Sequence, residues 1–272
     1  MASTEAEPFD LACVPHAGGS ARTFLRWQRS MPPSIRVVPL EMAGRGRRTR
    51  DTRPPTLTDA AVDLAARLDP RAPYAILGHS LGGLIAYEMA RLLSDGAHIA
   101  PSFVVLAACR PPHLLSGSRY ALLADLSDDD LIDELAPDGR IPESVRHSAM
   151  RQWFLPVIRG DIALAANYLP DPVAEPLPVN LLVWHGIADP ATPPNALREW
   201  QRYTSRLFSV EAFPGGHFFI HDDLDHVADL LTAAALLVGP RPNSCQAHRT
   251  SRRTDPALVR PSHLAVTCAD AG

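Results

Sequence analysis

Ser80 stands between two glycines in Gly78-His79-Ser80-Leu81-Gly82, after the apolar run 74–77 and before an apolar stripe that starts at Leu81. A serine on a tight turn from strand to helix projects its hydroxyl into a cleft, where it can attack a carbonyl carbon. Glycines flank such a turn because a side chain there would meet neighbouring backbone. The hydroxyl attacks well only when a base removes its proton, and an acid must hold that base in the right tautomer. Downstream, His217 in Phe213-Pro214-Gly215-Gly216-His217 and Asp189 in His185-Gly186-Ile187-Ala188-Asp189-Pro190 offer both types. Each follows a run of strand length, which puts them on the same sheet edge as Ser80. The chain order Ser80, Asp189, His217 suits a strand-borne serine nucleophile, and the chemistry indicated is acyl transfer.

The same residues allow plainer roles. The serine segment could be a simple Gly-Ser connection. His217 and His221, four apart, could share a metal with Asp225 if they were helical, but the two preceding glycines argue for a loop, and neither metal nor cofactor is expected. His185, at a strand end, is expected to hydrogen-bond locally rather than act as the base, and His79 to pack under the turn. Asp189 could cap a helix beginning near Pro193, and Asp161 is a weaker rival for the acid. Acyl transfer also needs two donors aimed at the developing oxyanion. The Leu81 N–H at the helix start is one candidate. Ala17 N–H, in Val14-Pro15-His16-Ala17-Gly18-Gly19-Ser20, is the other, although that segment could merely lead into a helix from 21 to 31.

The elements that must carry these residues follow from the hydrophobic pattern. Short apolar runs at 9–14, 35–40, 74–78, 103–107 and 180–184, with a sixth near 207–212, alternate with helical periodicity, which predicts an α/β fold with a mostly parallel, doubly wound sheet. Leu57, Ala61, Leu64, Ala65 and Leu68 form one helical stripe, and Leu81, Leu84, Ile85, Met89 and Leu92 another. About 70 residues separate the fourth and fifth strands, far beyond an ordinary crossover. Within them Ser127 and Asp130 resemble a capping box ahead of Leu131, Ile132 and Leu135, and Trp153, Phe154, Leu155, Val157 and Ile158 form an apolar cluster. A helical lid inserted at about 110–177 is the expectation. From 239 to 272 the chain turns polar and rich in proline and arginine, and this tail is expected to be disordered.

Composition excludes several classes. The 272 residues carry a net charge of -4, and all 26 basic residues are arginine. Without lysine there is no Schiff base and no phosphate-loop lysine. The acidic balance disfavours nucleic acid, and no run is long enough to span a bilayer. Glu5 and Glu7 lie where a secretion signal would be basic, which points to the cytoplasm. Cys13, Cys109, Cys245 and Cys268 lack CxxC spacing and are expected to be thiols. Arg45, Arg47, Arg48, Arg50 and Arg53 form a basic loop that is either a docking surface for an acidic partner or, with the greater weight, a solvated loop.

Four segments taken together, Pro15-His16-Ala17-Gly18-Gly19, Gly44-Arg45-Gly46-Arg47, Gly78-His79-Ser80-Leu81-Gly82-Gly83 and Gly215-Gly216-His217-Phe218-Phe219, resemble the type II thioesterases. The resemblance runs over 9–238 and leaves the tail outside. It implies an α/β-hydrolase fold for 1–238. It also implies hydrolysis of stalled or wrong acyl groups from the phosphopantetheine arm of acyl or peptidyl carrier proteins in polyketide and nonribosomal peptide synthesis. In relatives fused to synthases the acid often follows the strand after the serine helix. Here that place reads Ala108-Cys109-Arg110-Pro111, which leaves Asp189, as in stand-alone members. A single copy acting on a carrier partner is expected. A general carboxylesterase or lipase of the same fold would share every residue named, and a non-catalytic scaffold is a more distant alternative.

Overall fold

The computed structural model describes residues 8–69, 73–95, 98–115, 119–136, 145, 149–171 and 174–238. The expected tail at 239–272, with Cys245 and Cys268, lies outside them. Six strands form one sheet: β1 (Phe9–Val14), β2 (Ile35–Pro39), β3 (Tyr74–His79), β4 (Phe103–Ala107), β5 (Asn180–Gly186) and β6 (Phe208–Phe213). Their order is β2-β1-β3-β4-β5-β6, and every neighbouring pair is parallel. Parallel strands need crossovers, which cover both faces with helices and make the central strands apolar on both sides. All residues of β3 and β4 are accordingly buried.

Alternate strand residues feed two separate cores, as a period of two requires. Ile76, Val104, Leu106, Leu181 and Val183 face α2 (Leu57–Ala65) and α3 (Leu81–Ser94). Ala75, Leu77, Phe103, Val105 and Trp184 face the opposite layer, to which Trp27 and Val227 contribute from α1 (Trp27–Ser30) and from the C-terminal helix Leu224–Val238. The sheet is thus doubly wound, as expected. The helix anticipated over 21–31 is instead a 3-10 turn, Ala21–Phe24, followed by the short α1. Phe24 and Trp27 are both buried with ring centroids 5.1 Å apart, a pairing of residues three apart that a 3-10 turn allows as well as a helix does.

Between β4 and β5 the chain inserts α4 (Arg119–Ala124), α5 (Asp128–Leu135) and α6 (Arg151–Ala166). These helices share a third core built on Leu123, Leu131, Ile132, Leu135, Leu155, Ile158 and Ile162. Ser127 caps α5 by accepting the Asp130 N–H at 3.2 Å, and its hydroxyl donates to the Asp130 carboxylate at 2.6 Å. Trp153 departs from the expected apolar cluster and is 76% exposed. Leu155, Ile158 and Ile162 set the inward face of α6, and at about 100° per residue Trp153 falls on the opposite side. Among the described residues, α7 (Pro194–Arg198) and α8 (Leu224–Val238) follow.

Candidate active site

The carboxyl ends of β3, β5 and β6 carry the site. Ser80, the residue between β3 and α3, has φ 57° and ψ −117°. A side chain in that region costs about 1–3 kcal/mol, a strain that surrounding structure must hold in place. The Ser80 N–H donates to the Ala107 carbonyl at 2.8 Å, and its own carbonyl accepts the Gly83 N–H at 2.9 Å. The flanking glycines are obligatory: a Cβ at Gly78 would lie 2.0 Å from the Gly82 carbonyl oxygen, and one at Gly82 2.3 Å from that of Val14. The second contact also presses the serine turn against the segment that follows β1.

Asp189 and His217 meet through a similar close approach. A Cβ on Gly186, at the end of β5, would lie 2.2 Å from the Gly216 carbonyl oxygen, so the loops after β5 and β6 touch backbone to backbone. Ala188 N–H donates to the Gly215 carbonyl at 2.9 Å. His217 Nδ1–H then donates to Asp189 Oδ2 at 2.7 Å, with both side chains almost wholly buried. Asp189 also accepts from Thr192 Oγ1 at 2.8 Å and from Ala191 N–H at 2.9 Å. Burial pushes its pKa up, but the hydrogen bond and charge of His217, with the Thr192 and Ala191 donors, outweigh burial and hold it at about 2. The carboxylate is ionised at neutral pH and fixes the His217 proton on Nδ1, leaving the Nε2 lone pair for a base. The α7 helix begins under Pro193 with no side-chain cap, so Asp189 is spent on His217 and its own turn rather than on the helix.

Ser80, His217 and Ala17 line one small cavity together with Tyr120 and Phe218. Leu81, as first residue of α3, has an N–H with no carbonyl one turn back to receive it. Next to this cavity is a larger one of about 270 Å³, lined by Leu84, Leu115, Leu123, Thr192 and His217 among others. Tyr120 borders both cavities, and its hydroxyl lies 3.3 Å from Ser80 Oγ. Nothing in the sequence pointed to Tyr120, because its place depends on how the insertion folds back. Thr192, three residues after Asp189, could have been suspected from the Asp-x-x-Thr spacing alone.

His79 is fully buried below the turn and donates from Nε2 to the His217 carbonyl at 2.7 Å, so it braces the His217 backbone. His185 donates locally to the Gly186 carbonyl at 3.3 Å. His217 and His221 do not share a ligand: His221 Nδ1 accepts from Trp27 Nε1 at 3.1 Å. Among the described residues, His16, His79 and His221 bring one nitrogen each within 4.8 Å of one another. The Trp27 bond keeps the proton of neutral His221 on Nε2, and His79 Nε2 is committed to a carbonyl. The trio therefore fits neutral packed rings better than a metal site. Burial, before the neighbouring histidines, depresses His79 well below the usual range, and burial lowers His221 to about 4.

The partners of Asp161 are the Gly18 N–H and Arg45, and the acid that holds His217 is Asp189. Asp161 and Arg45 are both buried. This also changes the basic loop. Arg48 bonds Asp63 at 2.5 and 2.9 Å and Asp51 at 2.7 Å, and Arg53 donates to the Pro156 carbonyl. Only Arg47 and Arg50 of the five point out as exposed side chains, so a docking test by charge reversal belongs at those two.

A doubly wound sheet with a strained serine turn after β3 and an Asp–His pair beyond β5 and β6 defines an α/β-hydrolase. The chain belongs to the thioesterase family, whose domain model matches residues 9–234, and its class of activity is thioester hydrolysis. It is 29% identical over 238 residues to thioesterase PikA5 of Streptomyces venezuelae, covering 86% of this chain and 83% of that one. Among solved structures it is similar to ClbQ from the colibactin NRPS/PKS pathway, with 30% identity, a TM-score of 0.77, and coverage of 85% and 98%. It is also similar to the type II thioesterase BorB from the borrelidin biosynthetic cluster, with 29% identity, a TM-score of 0.73, and coverage of 85% and 93%. The early resemblance to type II thioesterases is thereby borne out. No helix among the described residues is long and apolar enough to cross a membrane.

Proposed function

We propose that this chain removes stalled or incorrect acyl groups from the phosphopantetheine arm of acyl or peptidyl carrier proteins, with Ser80, His217 and Asp189 as its triad. One observation carries the reading: Asp189 holds His217 at 2.7 Å while Ser80 and His217 open into the same cavity. His217 Nε2 takes the Ser80 proton as Oγ bonds to the thioester carbon, and the carbonyl electron pair moves onto oxygen. Ala17 and Leu81 N–H groups receive that oxyanion. On collapse the C–S bond breaks and the thiol of the arm leaves with the proton from His217. Water then repeats the sequence on the acyl-enzyme and frees Ser80 and a carboxylic acid. No step calls for a metal or cofactor.

In this reading residues 1–238 are the hydrolase domain and 110–177 its lid, with Tyr120 over the nucleophile. The enzyme works as a single copy in the cytoplasm beside its synthase. Support comes from the family match and from relatives named for polyketide and nonribosomal peptide pathways. The test is release of acyl groups from loaded carrier proteins, followed by intact mass. Wild type should clear the carriers, and Ser80→Ala should leave them loaded while melting normally. Retained turnover in Ser80→Ala would remove the assigned nucleophile. Faster cleavage of a matched oxygen ester than of the thioester would favour the carboxylesterase alternative.

A further inference from the structure

Three segments distant in sequence converge beside the cavity: the loop after β1, the arginine-rich loop after β2, and helix α6 of the insertion. Asp161 of α6 is 2% exposed. Its Oδ2 accepts the Gly18 N–H at 2.7 Å and Arg45 Nη1 at 2.7 Å, and its Oδ1 accepts Arg45 Nη2. Arg45 Nη1 also donates to the Gly19 carbonyl at 2.8 Å. The ion pair therefore grips one N–H and one C=O of the Gly18-Gly19 step. On the other side, Gly19 N–H donates to the His16 carbonyl at 2.9 Å and closes a turn over residues 16–19. Ala17 sits inside this turn. Its N–H direction is set once both ends of the turn are held.

Helix α6 also packs hard on the same loop. A Cβ at Gly18 would be 3.2 Å from Phe154 Cζ and 3.3 Å from Ile158 Cδ1, and Gly18 has φ +77°. A buried ion pair is a poor way to gain stability, because desolvation of both charges offsets most of their attraction, and apolar residues of similar size do as well. Two apolar side chains would leave the Gly18 N–H and Gly19 carbonyl without these partners, and a buried polar group left unpaired is costly. The charges are thus matched to the loop backbone rather than to holding α6 in place.

We propose that Arg45 and Asp161 are positioning residues that aim the Ala17 N–H at the oxyanion. The proposal rests on the serine mechanism above and acts through Ala17, since neither side chain touches the reacting atoms. A misaimed donor should lower kcat and leave KM for a small substrate largely in place.

The experiment uses the full chain and an acyl N-acetylcysteamine thioester, with a matching trifluoromethyl ketone as a probe that bonds Ser80 and places an anion in the same donor site. Asp161→Asn keeps an acceptor for Gly18 but loses the ion pair, and kcat should fall about tenfold. Asp161→Ala should lose about 100-fold, comparable with removing one oxyanion donor. In both variants ketone affinity should fall by the same factor as kcat, with KM within about threefold. Where Asp161→Ala fails to fold, the Arg45→Met/Asp161→Leu pair supplies the apolar packing, and Asp161→Asn alone still decides. Wild-type kcat and ketone affinity in a folded variant overturn the proposal. So does a drop in kcat with ketone affinity unchanged. Ser80→Ala run alongside separates the two readings: if it stays active, the serine mechanism fails; if it is dead while the Asp161 variants behave as wild type, only the positioning role fails.

Discussion

The sheet and the insertion contribute to one cavity by different means. On the sheet side, Ser80, Asp189 and His217 sit on turns whose backbones touch, with glycine at each point of contact. On the insertion side, Tyr120, Leu123 and Ile158 reach the cavity as side chains from helices that share a core of their own. Backbone-to-backbone contact leaves no room for substitution, whereas a side chain can be exchanged without moving the chain that bears it. The proposed triad is accordingly placed where the fold tolerates least change, and the shape of the cavity where it tolerates most.

Gly186→Ala is the strongest way to break this division. The new Cβ would meet the Gly216 carbonyl oxygen at 2.2 Å and force the Asp189 and His217 loops apart. A displacement of about 1 Å at reacting groups costs on the order of 100-fold, so kcat/KM for a small thioester should fall at least that far. Near wild-type turnover would show that the loops yield. Leu131→Ala probes the other half. Leu131 is fully buried in the insertion core, and its truncation should cost about 2–5 kcal/mol in urea unfolding. Its kinetic effect should fall on KM, with kcat held. A loss of kcat matching that of Gly186→Ala would erase the distinction between the halves.

The smallest effect is one of pH. His221, under the serine turn, titrates at about 4 because burial disfavours its charge, while an unfolded histidine titrates near about 6.5. Between these values the unfolded chain binds more protons, so stability should fall as pH drops from about 6.5 toward 4. Asp189, at about 2 when folded against about 3.9 when unfolded, adds to the slope in the same sense only below about pH 5, so the His221 contribution is read above that. His221→Gln keeps an acceptor for Trp27 and should flatten the slope of melting temperature against pH. An unaltered slope would assign the acid sensitivity to other groups, His79 first among them.

The central strands were legible because parallel strands buried on both faces are nearly continuous apolar runs, and β1 and β4 fall at the expected residues. Candidate residues at strand ends were legible for the same reason, since each follows a run that can be found by eye. The 21–31 segment was misread because two buried aromatics three apart satisfy a 3-10 turn as well as a helix. The partnership of Arg45 with Asp161 spans 116 positions and joins a loop to an inserted helix. No local pattern encodes it, and each residue on its own suggested something else, a docking cation and a rival acid.

The position of β6 at the sheet edge, next to last among the elements, has a consequence for biosynthesis. The nucleophile turn is complete once β4 has left the ribosome, but its base arrives more than a hundred residues later, on the loop that only β6 can hold in place. A nascent chain folding from its N-terminus therefore carries a strained, unassisted serine through more than a hundred residues of its synthesis, and the proposed triad can assemble only after β6 has emerged.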